Sequence, residues 1–209
     1  MTATTDYATE HGAELLKEGT NQLSQANNLV RAHGATDEAY QQARGALVTL
    51  RSAMDWLEDT DQFEAAHHAL DRAGAFTRRT FGCFLHQDGD GYEQRCPVAL
   101  AHTRMGLSIG FIVRKVECSI CGKDPALCDH VTGRVYDGKC CVRRLEEVEL
   151  LEVSLVDRPA QPDARIHAIS IDTGELREML GPEFRPGMPV SCDRCLNPCT
   201  GLSWPFGGA

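Results

Sequence analysis

The sequence predicts an α+β protein, with a helical hairpin at the N terminus followed by a small antiparallel β domain. Three observations carry this. From Tyr40 to Leu57 the apolar residues Tyr40, Ala43, Leu47, Leu50, Met54 and Leu57 recur at alternating steps of three and four, the seam of a coiled-coil-like hairpin. From Gly106 the period changes to two, with Leu107, Ile109, Phe111 and Val113 alternating with smaller or polar residues. Ten cysteines, all beyond residue 82, fall into short-spaced groups.

Composition sets the outer limits. At 209 residues the chain has room for one or two small domains. A formal net charge of -9 argues against a grip on nucleic acid driven by phosphate neutralisation, so protein partners are expected. No run of about eighteen apolar residues offers a membrane span. The opening Met1-Thr-Ala-Thr-Thr-Asp lacks the basic-then-apolar pattern of a secretory signal, so a reducing cytosol is the expected setting. There, clustered cysteines bind metal more often than they form disulfides, and the β domain is expected to be stapled by zinc.

Residues 8 to 32 form a helix with a thin stripe of Leu16, Leu23, Ala26 and Val30, ended by His33-Gly34. Thr36 or Asp37 caps the next helix, which carries the seam. Asp61 with Glu64 is a capping pair for a third helix bearing Phe63, Ala66, Leu70 and Ala73, up to about Arg79. This region is either an assembly surface, able to join chains into an oligomer, or a helical layer packed on the chain's own β-core. His67 and His68 are adjacent on the third helix and point about a hundred degrees apart, so they are expected to be exposed rather than to share an ion.

Metal-ligand spacings begin after the helices. Cys83-x2-His86 and Cys96-x5-His102 offer two pairs to a tetrahedral zinc, the second on a short helix starting at Pro97; the alternative is two buried cysteines and two solvated histidines. Asp88-Gly-Asp-Gly lacks the later glutamate of a calcium loop and is a turn. Cys118-x2-Cys121-Gly is a thiolate knuckle, and Cys128-x-His130 supplies its second pair, with Cys140 and Cys141 near enough to replace one ligand. Residues 131 to 142, with Gly133 and Asp137-Gly138, form a hairpin.

The next strand places Val148, Leu150 and Glu152 on one face and Leu151, Val153 and Leu155 on the other, so it is expected to be covered on both sides. Pro159 and Pro162 end it. Arg165 to Ile171 is a further strand, Asp172-Thr-Gly a turn, and residues 175 to 190 a Pro/Gly-rich loop. Cys192-x2-Cys195-x3-Cys199 is a second knuckle without a local fourth ligand, which Cys140, Cys141 or a distant histidine could supply. Trp204 and Phe206 are expected to anchor the tail. These readings divide the chain into a helical hairpin (1–80), a zinc-bearing β domain (81–175) and a linker with a Cys-rich tail (176–209).

Gly106-Leu-Ser-Ile-Gly-Phe, followed after the insert by Glu147-Val-Glu-Leu-Leu-Glu-Val-Ser-Leu-Val and then Pro-Ala-x-x-Asp-Ala-Arg-Ile166, resembles the second half of the prohead (head-maturation) proteases of tailed phages. The resemblance implies a β-barrel core with helices around it and a serine nucleophile at Ser108. It implies capsid or portal proteins as partners, and the host cytoplasm or the virion as location. That family's histidine is expected on a strand some tens of residues earlier, where this chain is helical in pattern, so none carries over. His67, His68, His86 and His102 are the candidate bases, with Glu152 or Asp157 to orient one. The same glycines and serine fit the Gly-x-Ser-x-Gly elbow of α/β-hydrolases, but the strand-like Phe-Ile-Val-Arg-Lys-Val that follows excludes a strand–turn–helix. The expected function is that of a structural relative of the prohead proteases. The alternatives are an active serine endopeptidase and a zinc-ribbon binding module.

Overall fold

The computed structural model describes residues 3–89, 91–192, 194–195, 199 and 201–202, with only the backbone for residues 3–7. Trp204 and Phe206 lie outside the described residues. The chain divides into two compact units, Met1–Gly106 with Val156–Ala209, and Leu107–Leu155.

Helices α1 (Ala3–His33), α2 (Asp37–Trp56) and α3 (Phe63–Phe81) form the helical part of the first unit. Thr36 caps α2, its hydroxyl accepting from the Ala39 N–H at 3.2 Å. The expected Asp61–Glu64 pair does not cap α3; its N-cap is Gln62, without a side-chain bond, while the Thr60 hydroxyl accepts from the Gln62 N–H. The seam of α2 is core: Ala43, Leu47, Leu50, Met54 and Leu57 are at most 1% exposed. They pack on Leu16 and Leu23 of α1, on Ala66, Ala69, Leu70 and Ala73 of α3, and on Val98 and Ala101.

The thin stripe of α1 suffices because small residues let the helix come close. A Cβ on Gly12 would lie 2.6 Å from Leu57 Cγ, and one on Gly19 would lie 2.6 Å from Leu50 Cγ; Ala26, seven residues on, is fully buried. The two helices run antiparallel, as the pairs Gly12 with Leu57 and Gly19 with Leu50 require. A Gly19→Val change should therefore cost about 1–3 kcal/mol through overpacking. Gly45 meets only Gln22 Oε1, at 3.9 Å, so Gly45→Ala should stabilise by roughly 0.5–1 kcal/mol through helix propensity. Thermal melts of the two variants should move in opposite directions.

A buried ionic cluster holds the segment after Val156 to α2. Arg104 donates to Asp55 at 2.6 Å and pairs with Glu58 at 3.0 Å. Arg165 pairs with Glu58 and donates to the Asp157 carbonyl, and Arg51 donates to the Ile166 carbonyl at 2.5 Å. Burial pushes the Asp55 carboxyl up against the pull of Arg104, Arg51 and Arg165. On the same helix Ser52 and Trp56 donate to Asp163.

Strands β1 (His86–Asp88) and β2 (Gly91–Gln94) and helix α4 (Pro97–Ala101) follow α3. β7 (Ile169–Ile171) pairs antiparallel with β2, with Tyr92 opposite Ile171, to give a sheet of order β1-β2-β7. A second small core of Tyr92, Leu176, Phe184 and Val190 packs with it. Residues 173 to 180 are helical rather than loop: α5 (Thr173–Leu180) starts where the Asp172 carboxylate accepts from Gly174 and Glu175 N–H, and ends at Gly181, φ 90°. An Asp cap followed by a Gly-Pro stop is a helix signal that the Pro/Gly content outweighed.

The second unit is built on a two-stranded ribbon, β3 (Gly106–Cys118) and β6 (Arg143–Val156). Gly110 lies against Glu152, Arg114 bonds Glu149 and the Ser119 N–H donates to the Val142 carbonyl, so the strands are antiparallel. The strand expected to be covered on both sides is open: Leu145, Val148, Leu150, Leu151, Val153 and Leu155 are all more than half exposed. At the ribbon's end a tight hairpin of β4 (Val135–Tyr136) and β5 (Lys139–Cys140) turns through Asp137 and Gly138, both at positive φ as such turns require.

Candidate metal centres and Ser108

In the second unit the chain folds Cys118, Cys121, Cys128 and His130 together, with one ligand atom from each within 4.8 Å of the others. The knuckle closes where the Gly122 N–H donates to the Cys118 carbonyl at 2.8 Å and the Cys118 N–H to the Lys123 carbonyl at 2.8 Å. Backbone N–H groups of Cys121 and then Ile120, outweighing burial, hold the Cys118 thiol down at about 6. Asp124 caps the short 3-10 turn Pro125–Leu127 that leads to Cys128. His130 packs edge-on to Tyr136, ring centroids 4.6 Å apart, and its Nδ1 is buried without a hydrogen-bond partner among the described residues. An orphaned ring nitrogen beside three thiols fits a metal ligand. Cys141 Sγ lies 3.7 Å from Cys118 Sγ, close enough to compete as a ligand, while Cys140 is exposed.

Spacing alone grouped Cys83, His86, Cys96 and His102; the fold does not. His86 is exposed on β1, opposite Glu93. Cys83 instead lies across from Cys192, whose N–H donates to the Cys83 carbonyl at 2.9 Å, and Gln94 bonds both Cys192 Sγ and the Cys96 N–H. His102, at the end of α4, instead meets His67, Asp71 and Cys199, their ligand atoms again within 4.8 Å of one another. The reason is geometric: α4 turns the Cys96 and His102 side chains to different neighbours, and α3 presents His67 and Asp71 one turn apart toward His102.

In this second group His67 Nε2 and His102 Nε2 are 3.1 Å apart, and Cys199 Sγ lies 3.0 Å from His102 Nε2 and 3.4 Å from His67 Nε2. Asp71 oxygens reach both rings at 3.3 and 3.4 Å. Ligands on a tetrahedral zinc stand about 3.3–3.7 Å from one another, close to these spacings. His102 Nδ1 lies 2.6 Å from the Val98 carbonyl. A carbonyl only accepts, so Nδ1 carries the proton and Nε2 turns its lone pair to the group, the usual second contact of a ligating histidine. Burial pushes the His102 imidazole down, keeping it neutral. His67 is buried, contrary to the expectation of exposure, and His68 is exposed, as the hundred-degree offset requires. His67 and Asp71, four apart on α3, were the missed members of this group; their i, i+4 spacing was the available signal.

Ser108 is half-buried on β3, between exposed Leu107 and Ile109. The single imidazole within Leu107–Leu155 is His130, which belongs to the thiol cluster. Glu152 lies over Gly110, its Cγ 2.8 Å from where a Cβ would sit.

Residues 103–179 match the family model of the caudovirus prohead serine protease. The chain thus carries a partial likeness to the prohead proteases, covering the ribbon, its thiol cluster, β7 and most of α5. Helices α1 to α3, Cys83, Cys96 and the Cys192–Cys199 segment lie outside the prohead-protease match. No curated protein and no solved structure gives a significant match. No helix among the described residues is long and apolar enough to cross a membrane.

Proposed function

We propose that the chain is a zinc-binding head-morphogenesis protein of a tailed phage or prophage, acting through protein contacts in the host cytoplasm or the virion. The match to the prohead-protease family supports the phage part of this reading. The β3–β6 ribbon carries the rest. Apolar side chains stand open on both of its faces and, among the described residues, no third strand pairs with either edge. A lone two-stranded ribbon is marginal in water, and an open apolar edge is a template for strand addition. A capsid or portal protein is the partner this reading names. Zinc at Cys118, Cys121, Cys128 and His130 would staple the end of the ribbon, and the His67, Asp71, His102 and Cys199 group would take a second ion.

The second reading, a serine endopeptidase using Ser108, is favoured by the family match itself. An unassisted serine is a weak nucleophile at neutral pH and needs an imidazole within hydrogen-bond reach. Incubation of the purified protein with a serine-reactive phosphonate and with its candidate capsid partner decides between the two. The structural reading expects no adduct, an uncut partner, and a complex weakened at least tenfold by Leu150→Glu but not by Ser108→Ala. An adduct that disappears in Ser108→Ala would establish the endopeptidase.

A further inference from the structure

We propose that Cys83, Cys96, Cys192 and Cys195 form a four-thiolate zinc site that fastens the C-terminal segment to the helical layer. The inference rests on the reading that this chain's grouped cysteines take zinc, and extends it to a set of ligands far apart in sequence. Cys83 and Cys192 stand across from each other beside the Phe84–Ser191 bridge, Gln94 links Cys96 to Cys192, and Cys96 and Cys195 pack on the same helical core. The backbone builds this juxtaposition: the Cys192 N–H donates to the Cys83 carbonyl at 2.9 Å, and Phe84 and Ser191 form an antiparallel bridge. Both segments therefore bring a cysteine to the same rung.

The surroundings are shaped for sulfur. Gln94 donates its side-chain N–H to Cys192 Sγ at 3.4 Å and accepts the Cys96 N–H at 2.9 Å, so one residue positions two of the four. On α3, a Cβ at Gly74 would stand 3.0 Å from Cys195 Sγ, so glycine leaves the room the sulfur uses. Cys83, Cys96 and Cys192 line one cavity of about 550 Å³. All four are free thiols. Their pattern, Cys192-x2-Cys195 with single cysteines from two other segments, is the donor set of a closed structural zinc site. Such a site would explain how the Cys192–Cys195 knuckle, incomplete in its own segment, obtains its partners.

Thiol mapping on the intact chain tests this. Protein purified without chelator is treated with a maleimide under native conditions, with and without a strong zinc chelator, and the labelled cysteines are located by peptide mass. The expected result is that Cys83, Cys96, Cys192 and Cys195 are protected together and become reactive together on chelation, with exposed Cys140 labelled throughout. The double variant Cys192→Ser with Cys195→Ser should lose one zinc per chain and keep its helical circular dichroism. Equal labelling of the four with and without chelator, or a disulfide between any two of them, overturns the site. If Cys118, Cys121 and Cys128 are nevertheless protected, only this inference fails; if no cysteine is protected, the zinc reading fails with it.

Discussion

Replacing Leu47 with aspartate should unfold the helical layer. Leu47 is 1% exposed and packs with Leu50, Met54 and Leu70 inside the chain. Removing a buried leucine side chain costs about 2–5 kcal/mol, and an unpaired buried carboxylate adds to that. The sum approaches the roughly 5–15 kcal/mol that holds a typical domain together. Circular dichroism should show loss of helix, with the variant expanded or aggregated in gel filtration. A variant that stayed helical and merely dropped to a smaller species would place the seam at an interface between chains. The periodicity of Tyr40 to Leu57 is compatible with either outcome; the close approach of Gly12 and Gly19 to Leu57 and Leu50 supports the first.

On the proposed zinc reading, a strong zinc chelator should melt the second unit while leaving α1 to α3 folded. Within Leu107–Leu155 the buried residues are Cys118 and Cys141, both cysteines, and the apolar side chains of β3 and β6 are largely exposed. Such a unit has almost no hydrophobic core to offset chain entropy. A structural zinc supplies about 10–16 kcal/mol of binding free energy, coupled to folding. Amide exchange across residues 118 to 142 should therefore rise to nearly unprotected rates on chelation. Cys121→Ala should do the same without chelator, whereas Cys199→Ala should leave this segment protected. Unchanged protection after chelation would show that the excursion is held by something other than metal.

Much of the helical architecture was legible in one dimension because its causes are local. The Thr36 cap, the Gly34 stop and the period of the α2 stripe act within a few residues of one another. The grouping of Cys118, Cys121, Cys128 and His130 was legible for the same reason: the four residues and the glycine of their turn lie within thirteen residues. The strand that carries Ser108 was equally plain, since its alternating pattern lies within eight residues, from Gly106 to Val113.

What only the tertiary structure decided were partnerships between segments far apart in the chain. Spacing groups Cys83 and Cys96 with the histidines nearest in sequence. The bridge between Phe84 and Ser191 instead brings up Cys192 and Cys195, and α3 brings His67 and Asp71 to His102 and Cys199. Asp55 and Glu58 likewise find their partners in Arg104 and Arg165, some fifty and more than a hundred residues further along the chain. Ligand spacing, capping and periodicity are short-range properties and survive in the sequence. Which polar face is buried, and which thiol meets which, depends on packing between distant segments, and so does the absence of any cover over the apolar ribbon among the described residues.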